Sequence, residues 1–344
     1  MLADKGGCVC SRFAAVTEAA AMAAAELLGH GDPVAADRAA RAAMAAEFEH
    51  VPIRGRVVAG RGGGPELRAL SVGTEVGSRV GPWVSGEVGA ETAMTDEPGI
   101  WDLAVDPLQA PNALARGMDG ALAMLAAGPA GSLMPVPEMY MQKLVVPSAA
   151  ADVVDLDAPV CDNLRAVATS LGRRPGDLTV VVLDRPRHEE LVAQIRQCGA
   201  RVRLIIDGDV SAGLAVATGD DNVDVSVGIG GSTEGILTAA ALRCAGGEMQ
   251  SRFWPVSRQQ VELVRAAGIA DLEARLTSRD MAGDGVLVAA TAVTRGRFLR
   301  GVEVESFGVR THSIVLCSRC GAIRKIHALH RSQTGGGPVR LGTE

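Results

Sequence analysis

A chain of 344 residues with a formal net charge of −6 lacks the basic excess that a general nucleic-acid binder needs to displace counterions, so no nucleic-acid partner is expected. Hydrophobic residues make up 47% and aromatics only 3%, which suits helices on a Val- and Ile-rich sheet better than an aromatic-rich β-sandwich. No apolar run reaches membrane-spanning length, no basic segment followed by an apolar one opens the chain, and seven scattered Cys favour reduced thiols, so a cytoplasmic protein without a membrane partner is expected.

In chain order, residues 14–28 form an Ala-rich amphipathic segment, read as a helix with Thr17 as candidate cap. The turn cluster 29–33 follows, and then a second helical run over 37–49. Short strands are expected at 56–59 and 70–76. Residues 78–99 are rich in Gly, Pro, Ser and Glu without periodicity, and read as a long loop. A buried strand over 100–105 ends at Asp106-Pro107. From residue 177 the pattern is βαβ: strand 178–183, helix 189–197, strand 202–206, helix 210–217, strand 223–227 and helix 234–244. Strands at 286–293, 313–316 and 322–327 close the chain. Two α/β sub-domains are expected over 1–176 and 177–330, with a frayed tail over 331–344.

Ligands of open α/β sheets bind at the carboxyl ends of strands. The residues there are Asp106-Pro107, then Arg185 to His188, then Asp207-Gly208-Asp209, then Gly228 to Gly231 with Glu234. A fold alone would accept any turn former at these positions. Arg185 and Arg187 carry fork-shaped donors that match phosphate oxygens. Gly230 and Gly231 let backbone N–H groups approach an anion at a helix start. Asp207 and Asp209 suit sugar hydroxyls or a metal, and Asp37, Asp106 and Glu234 suit a hard divalent cation. His188 reads as a helix-start histidine, with proton transfer as the alternative.

These stretches resemble the class II fructose-1,6-bisphosphatases of bacteria. The resemblance is carried by Val16 to Ala20, Gly31-Asp32 with Ala36-Asp37, Asp102 to Pro107, Glu138 to Lys143 and Asp162 to Arg165. Pro186-Arg187-His188, Asp207-Gly208-Asp209 and Gly228 to Gly231 with Glu234-Gly235 continue it, in order, to about His330. It implies the layered αβαβα sandwich of the lithium-sensitive phosphatase superfamily. It also implies hydrolysis of the 1-phosphate of fructose 1,6-bisphosphate, or of sedoheptulose 1,7-bisphosphate, with Mg²⁺ or Mn²⁺, by a homodimer or homotetramer. Asp37, Asp106 and Glu234 match catalytic metal ligands. Tyr140, the one Tyr of the chain, matches a residue holding the sugar phosphate, as do Arg185, Arg187, Asp207, Gly208, Asp209 and Gly231.

The departures fall on the metal ligands. The family's Gly-Glu-Gly-Glu turn reads Gly60-Arg61-Gly62-Gly63, and its Asp-Pro-x-Glu-Gly-Thr reads Asp106-Pro107-Leu108-Gln109-Ala110-Pro111. Glu to Arg and Glu to Gln together add about +3 charges where each metal already brings two. A weak or altered sugar bisphosphatase with fewer metals, or none, is therefore expected. The alternatives are a repurposed sugar-phosphate enzyme using Arg61 in place of a metal, and a non-catalytic sugar-phosphate binder. Cys317, Cys320, His327 and His330 have a zinc-like order, but too few residues separate the pairs for a finger-type site, and the family has a closing strand there. Cys8 and Cys10 read as ordinary thiols.

Overall fold

Asp32 and Pro33 set the start of the second helix in the computed structural model, which describes residues 9–62, 67–78, 100–269, 271–296 and 299–331. The Asp32 side chain accepts hydrogen bonds from the N–H groups of Val34 and Ala35 at 3.1 and 2.9 Å. Pro33, with no N–H to satisfy, takes the first helical position. Helix α2 therefore runs Pro33–Phe48, starting before Asp37. Helix α1 spans Arg12–Ala25, and Thr17 lies inside it instead of capping it. The Thr17 hydroxyl donates to the Ala14 carbonyl and lies 2.7 Å from the Thr291 hydroxyl.

The chain divides into two units, Met1–Leu133 with Asp284–Glu344, and Met134–Gly283. The division expected at 176/177 does not coincide with this one. Strand Tyr140–Val146 pairs within the second unit, and the chain later returns to the first.

The first unit contains β1 (Arg54–Gly60), β2 (Glu75–Val76), β3 (Ile100–Gln109), β4 (Leu122–Pro129) and the short helix α3 (Pro111–Ala115). The second contains β5 (Tyr140–Val146), α4 (Val160–Ser170), β6 (Thr179–Leu183), α5 (Glu189–Gln197), β7 (Arg201–Ile205), α6 (Asp209–Thr218), β8 (Val225–Gly231), α7 (Ser232–Ala245), β9 (Glu248–Phe253) and β10 (Leu276–Thr277). Strands β11 (Leu287–Ala292), β12 (Glu303–Glu305), β13 (Gly308–Cys317) and β14 (Ala322–Arg331) complete the first. The strand expected at 70–76 shrinks to Glu75–Val76, because Leu70 and Gly73 take positive φ in turns. The loop expected over 78–99 lies, apart from Ser78, outside the described residues, as does the tail beyond Arg331.

In the first unit the order is β12-β13-β11-β4-β3-β1-β2, with β14 on β13. The Ala-rich helices α1 and α2 pack closely, and Phe13, Val16, Met44 and Phe48 meet Leu103, Val105, Leu125 and Val315 in one buried cluster. Burying each such side chain contributes roughly 1.5–3 kcal/mol. In the second unit the order is β10-β9-β5-β8-β6-β7. Strands β8, β6 and β7 run parallel, joined by α5 and α6 in the expected alternation. Leu144, Leu164, Val180, Val182 and Ile195 fill its core. Each unit is thus a mixed sheet with helices on it, the α/β architecture expected.

One pair of Cys departs from the expectation of reduced thiols. Cys161 at the start of α4 and Cys198 just after α5 form a disulfide, their Cα atoms 5.5 Å apart. Among the described residues no helix is long and apolar enough to cross a membrane.

Candidate active site

One carboxylate of the first unit, Asp37, is held by a buried arginine. Arg41 donates Nε–H to Asp37 Oδ2 at 3.1 Å and Nη2–H to the Arg61 carbonyl at 3.0 Å. Both side chains are buried, one turn apart on α2. Gly60 pairs with Val105 across the parallel strands β1 and β3, so Arg61 and Asp106 follow at neighbouring positions. Asp106 is 1% exposed and lies inside β3, which runs on to Gln109 instead of ending at Asp106-Pro107. The continuation is irregular: the register with β4 shifts between Asp106 and Gln109. Pro107, which cannot donate to a ladder, sits in that shift, where a sheet tolerates it.

Several buried polar atoms here have no hydrogen-bond partner among the described residues. They are Asp37 Oδ1 and both amide atoms of Gln109, a residue with no solvent exposure. Burying such groups unpaired costs roughly 1–3 kcal/mol each, so each of these atoms calls for a partner. By residue type alone, two carboxylates and an amide oxygen suit one hard cation with oxygen ligands. They fall short of the negative charge that several such cations require.

The second unit gathers another set. Lys143, buried in β5, forms an ion pair with Asp209 Oδ2 and donates to the Gly231 carbonyl at 3.1 Å. Asp209 opens α6 after Gly208, whose φ of 82° supplies the left-handed turn. Burial pushes the Asp209 carboxyl up, the Lys143 charge opposes this, and the neighbouring Glu234 and Asp207 charges reinforce it. The Asp207 side chain accepts from the Gly208 N–H at 3.0 Å. Tyr140 is 42% exposed, its ring 4.7 Å beneath the Arg187 guanidinium, which also donates to the Ile229 carbonyl at 2.8 Å. That stacking holds Arg187 by a cation–π contact.

Gly228 to Gly231 are not a turn after a strand but the last four residues of β8, paired with Lys143 to Tyr140. A Cβ at Gly230 would collide with Asp209 Oδ2, and one at Gly231 with Glu234 Oε2. The close approach read from these glycines is therefore present, but protein carboxylates occupy the space assigned to a ligand anion.

Tyr140, Arg187, Asp207, Gly208, Asp209, Gly231 and Glu234 thus come together in the second unit, and Asp37, Asp106 and Gln109 belong to the first. Arg185 turns back on its own strand end, donating to the Asp184 carbonyl at 2.9 Å. His188 is buried with both ring nitrogens engaged. Nε2 accepts the Ile229 N–H at 2.8 Å, so Nδ1 carries the proton and donates to the Leu183 carbonyl at 2.8 Å. Burial holds its pKa below the ordinary value, the Leu183 carbonyl opposing and the Arg187 and Arg185 charges assisting. This is a structural histidine. Lys143 and Arg41 were not singled out in the sequence; the signal for Lys143 was a lone cation in an apolar strand.

The chain matches the family described as "Bacterial fructose-1,6-bisphosphatase, glpX-encoded" over residues 8–330. It is 38% identical over 328 residues to a D-fructose 1,6-bisphosphatase class 2/sedoheptulose 1,7-bisphosphatase of Synechococcus sp. (strain JA-3-3Ab), covering 92% of this chain and 93% of that relative. A relative of the same description from Synechocystis sp. (strain ATCC 27184 / PCC 6803 / Kazusa) is 37% identical over 332 residues, covering 93% and 95%. One from Trichodesmium erythraeum (strain IMS101) is 35% identical over 328 residues, covering 92% and 94%.

Proposed function

Because the chain belongs to the glpX-encoded bacterial fructose-1,6-bisphosphatase family, we propose that it hydrolyses a phosphate ester of a sugar bisphosphate, of the fructose 1,6- or sedoheptulose 1,7-bisphosphate class. The proposal includes a divalent cation, Mg²⁺ or Mn²⁺, and an activity weakened or altered by Arg61 and Gln109. The observation that carries it is the set of buried oxygens around Asp37, Asp106 and Gln109.

Asp37 and Asp106 are the proposed ligands in the first unit, with the Gln109 amide oxygen as a neutral third; Glu234 remains a proposed metal-binding carboxylate of the second. When bound, the cation would neutralise phosphoryl oxygens and lower the pKa of a water. Arg41 keeps Asp37 from turning away. In the second unit, Arg187 offers its remaining N–H groups to phosphate oxygens, and Lys143 fixes Asp209 so that its carboxylate can orient a sugar hydroxyl. A cytoplasmic homodimer or homotetramer completes the reading.

The test is phosphate release from fructose 1,6-bisphosphate and sedoheptulose 1,7-bisphosphate with Mg²⁺ or Mn²⁺. Metal-dependent release that rises in the triple variant R61E/Q109E/P111T is expected. Release that survives both EDTA and D106N would overturn the reading. No release, with sugar phosphates still raising the melting temperature, would favour the non-catalytic binder.

A further inference from the structure

Outside these sites, a second group of chemically active side chains gathers in the first unit. The β13–β14 hairpin turns through Cys317-Ser318-Arg319-Cys320-Gly321, with Gly321 at φ 63°. A third cysteine, Cys10, comes from the short helical turn before α1, 310 residues away in sequence from Cys320. The sulfurs of Cys10, Cys317 and Cys320 all lie within 4.8 Å of one another, and those of Cys10 and Cys320 are 4.0 Å apart. Cys10 and Cys317 are buried in the apolar cluster under the sheet, and Cys320 packs against it.

We propose that Cys10, Cys317 and Cys320 form a structural zinc site that fastens the start of α1 to the β13–β14 hairpin. Zinc–thiolate bonds of about 2.3 Å at tetrahedral angles place ligand sulfurs about 3.8 Å apart, close to the separation already present. The C-x₂-C spacing across a tight turn is one that zinc sites use. Disulfides consume thiols in pairs, so they cannot account for three within mutual reach. Arg324 donates from Nη1 to the sulfurs of Cys320 and Cys10 at 3.3 and 3.5 Å. Three thiolates on Zn²⁺ carry a net charge of −1, which this guanidinium neutralises.

The histidines of the sequence motif are not part of this group. The His327 ring lies 4.3 Å from that of His312, and His330 Nε2 is 3.0 Å from the Thr311 hydroxyl. Nor is it the carboxylate site. Asp106 aligns through Met124 and Ala290 with Ile314, three strands away on β13, and Cys317 lies three residues beyond Ile314. That separation is about 14 Å across the strands and about 10 Å along them.

The test uses the full chain, purified under reducing conditions, stripped of metal and kept in excess Mg²⁺, which occupies carboxylate sites and ignores thiolates. Co²⁺ alone is then titrated, reading thiolate-to-metal charge-transfer absorbance. One equivalent is expected to bind with that signature, to be displaced by Zn²⁺, and to protect the three thiols from alkylation. C320S, altering the least buried of the three, is expected to weaken binding by about 100-fold or more, with C244S unchanged. No charge-transfer band in the parent chain, an undiminished band in C320S, or a disulfide among these Cys in anaerobically purified protein would overturn the proposal.

Discussion

The two units treat buried charge in opposite ways. In the second, Lys143 meets both Asp209 and the Gly231 carbonyl, so the cluster is closed on itself. In the first, Asp37 uses one oxygen on Arg41 and leaves the other without a partner among the described residues, and the wholly buried Gln109 has none for its amide either. A closed cluster holds the shape of a binding surface. An open one keeps buried polar capacity for something that arrives later.

The largest expected effect breaks the closed cluster. K143M leaves Asp209 buried without its counter-charge and should cost about 3–5 kcal/mol in urea denaturation. Adding D209N should recover most of that loss; failure to do so would mean the pair is not self-contained. On the open side, D106N should lower metal-dependent phosphate release about 100-fold or more and remove the Mn²⁺-induced rise in melting temperature. Q109E sharpens the contrast further. A carboxylate buried there should destabilise the metal-free protein by about 1–3 kcal/mol, a loss that Mn²⁺ reverses in calorimetry.

A smaller effect concerns His188, whose folded pKa lies below the unfolded value near 6.5. Below that pH the unfolded chain binds the extra proton more readily, so stability should fall as pH drops through about 6.5 and be fully present above it. In H188Q, unfolding midpoints measured between pH 5 and 8 should lose that part of the slope. The smallest change is expected from R185A, within about 0.5 kcal/mol in stability, because among the described residues that side chain bonds its own strand end. A rise in KM in this variant would still place Arg185 on the substrate.

Much of this was legible in the sequence because local rules govern it. The βαβ alternation from residue 177 follows from periodicity, and the family was recognised by the resemblance of a series of motifs in their order along the chain. The start of α2 was written in Asp32-Pro33 but read as a turn, since an N-cap and a turn use the same residues. Gly230 and Gly231 announced a close approach without saying to what. Arg41 was not singled out, because nothing local marks a charged residue of an Ala-rich helix as buried; it is held by the Arg61 carbonyl, 20 residues later in the chain. Cys10 could not be joined to Cys320 from sequence, because no periodicity spans 310 residues. The metal-ligand departures at Arg61 and Gln109 were visible, but the absence of hydrogen-bond partners at Gln109 needed coordinates.

The discontinuity of the first unit also bears on how the chain is made. Strand β4 is buried along its length and lies between β3 and β11. When β4 leaves the ribosome, β11 is not yet translated. At roughly 5–20 residues per second, the stretch from Pro129 to Leu287 takes on the order of ten to thirty seconds. The second unit is continuous in sequence and can be completed during that interval, whereas β4 waits with an apolar edge open to any other nascent strand. The first unit begins to form earliest and is finished last, and the need for chaperone protection falls on that interval of translation.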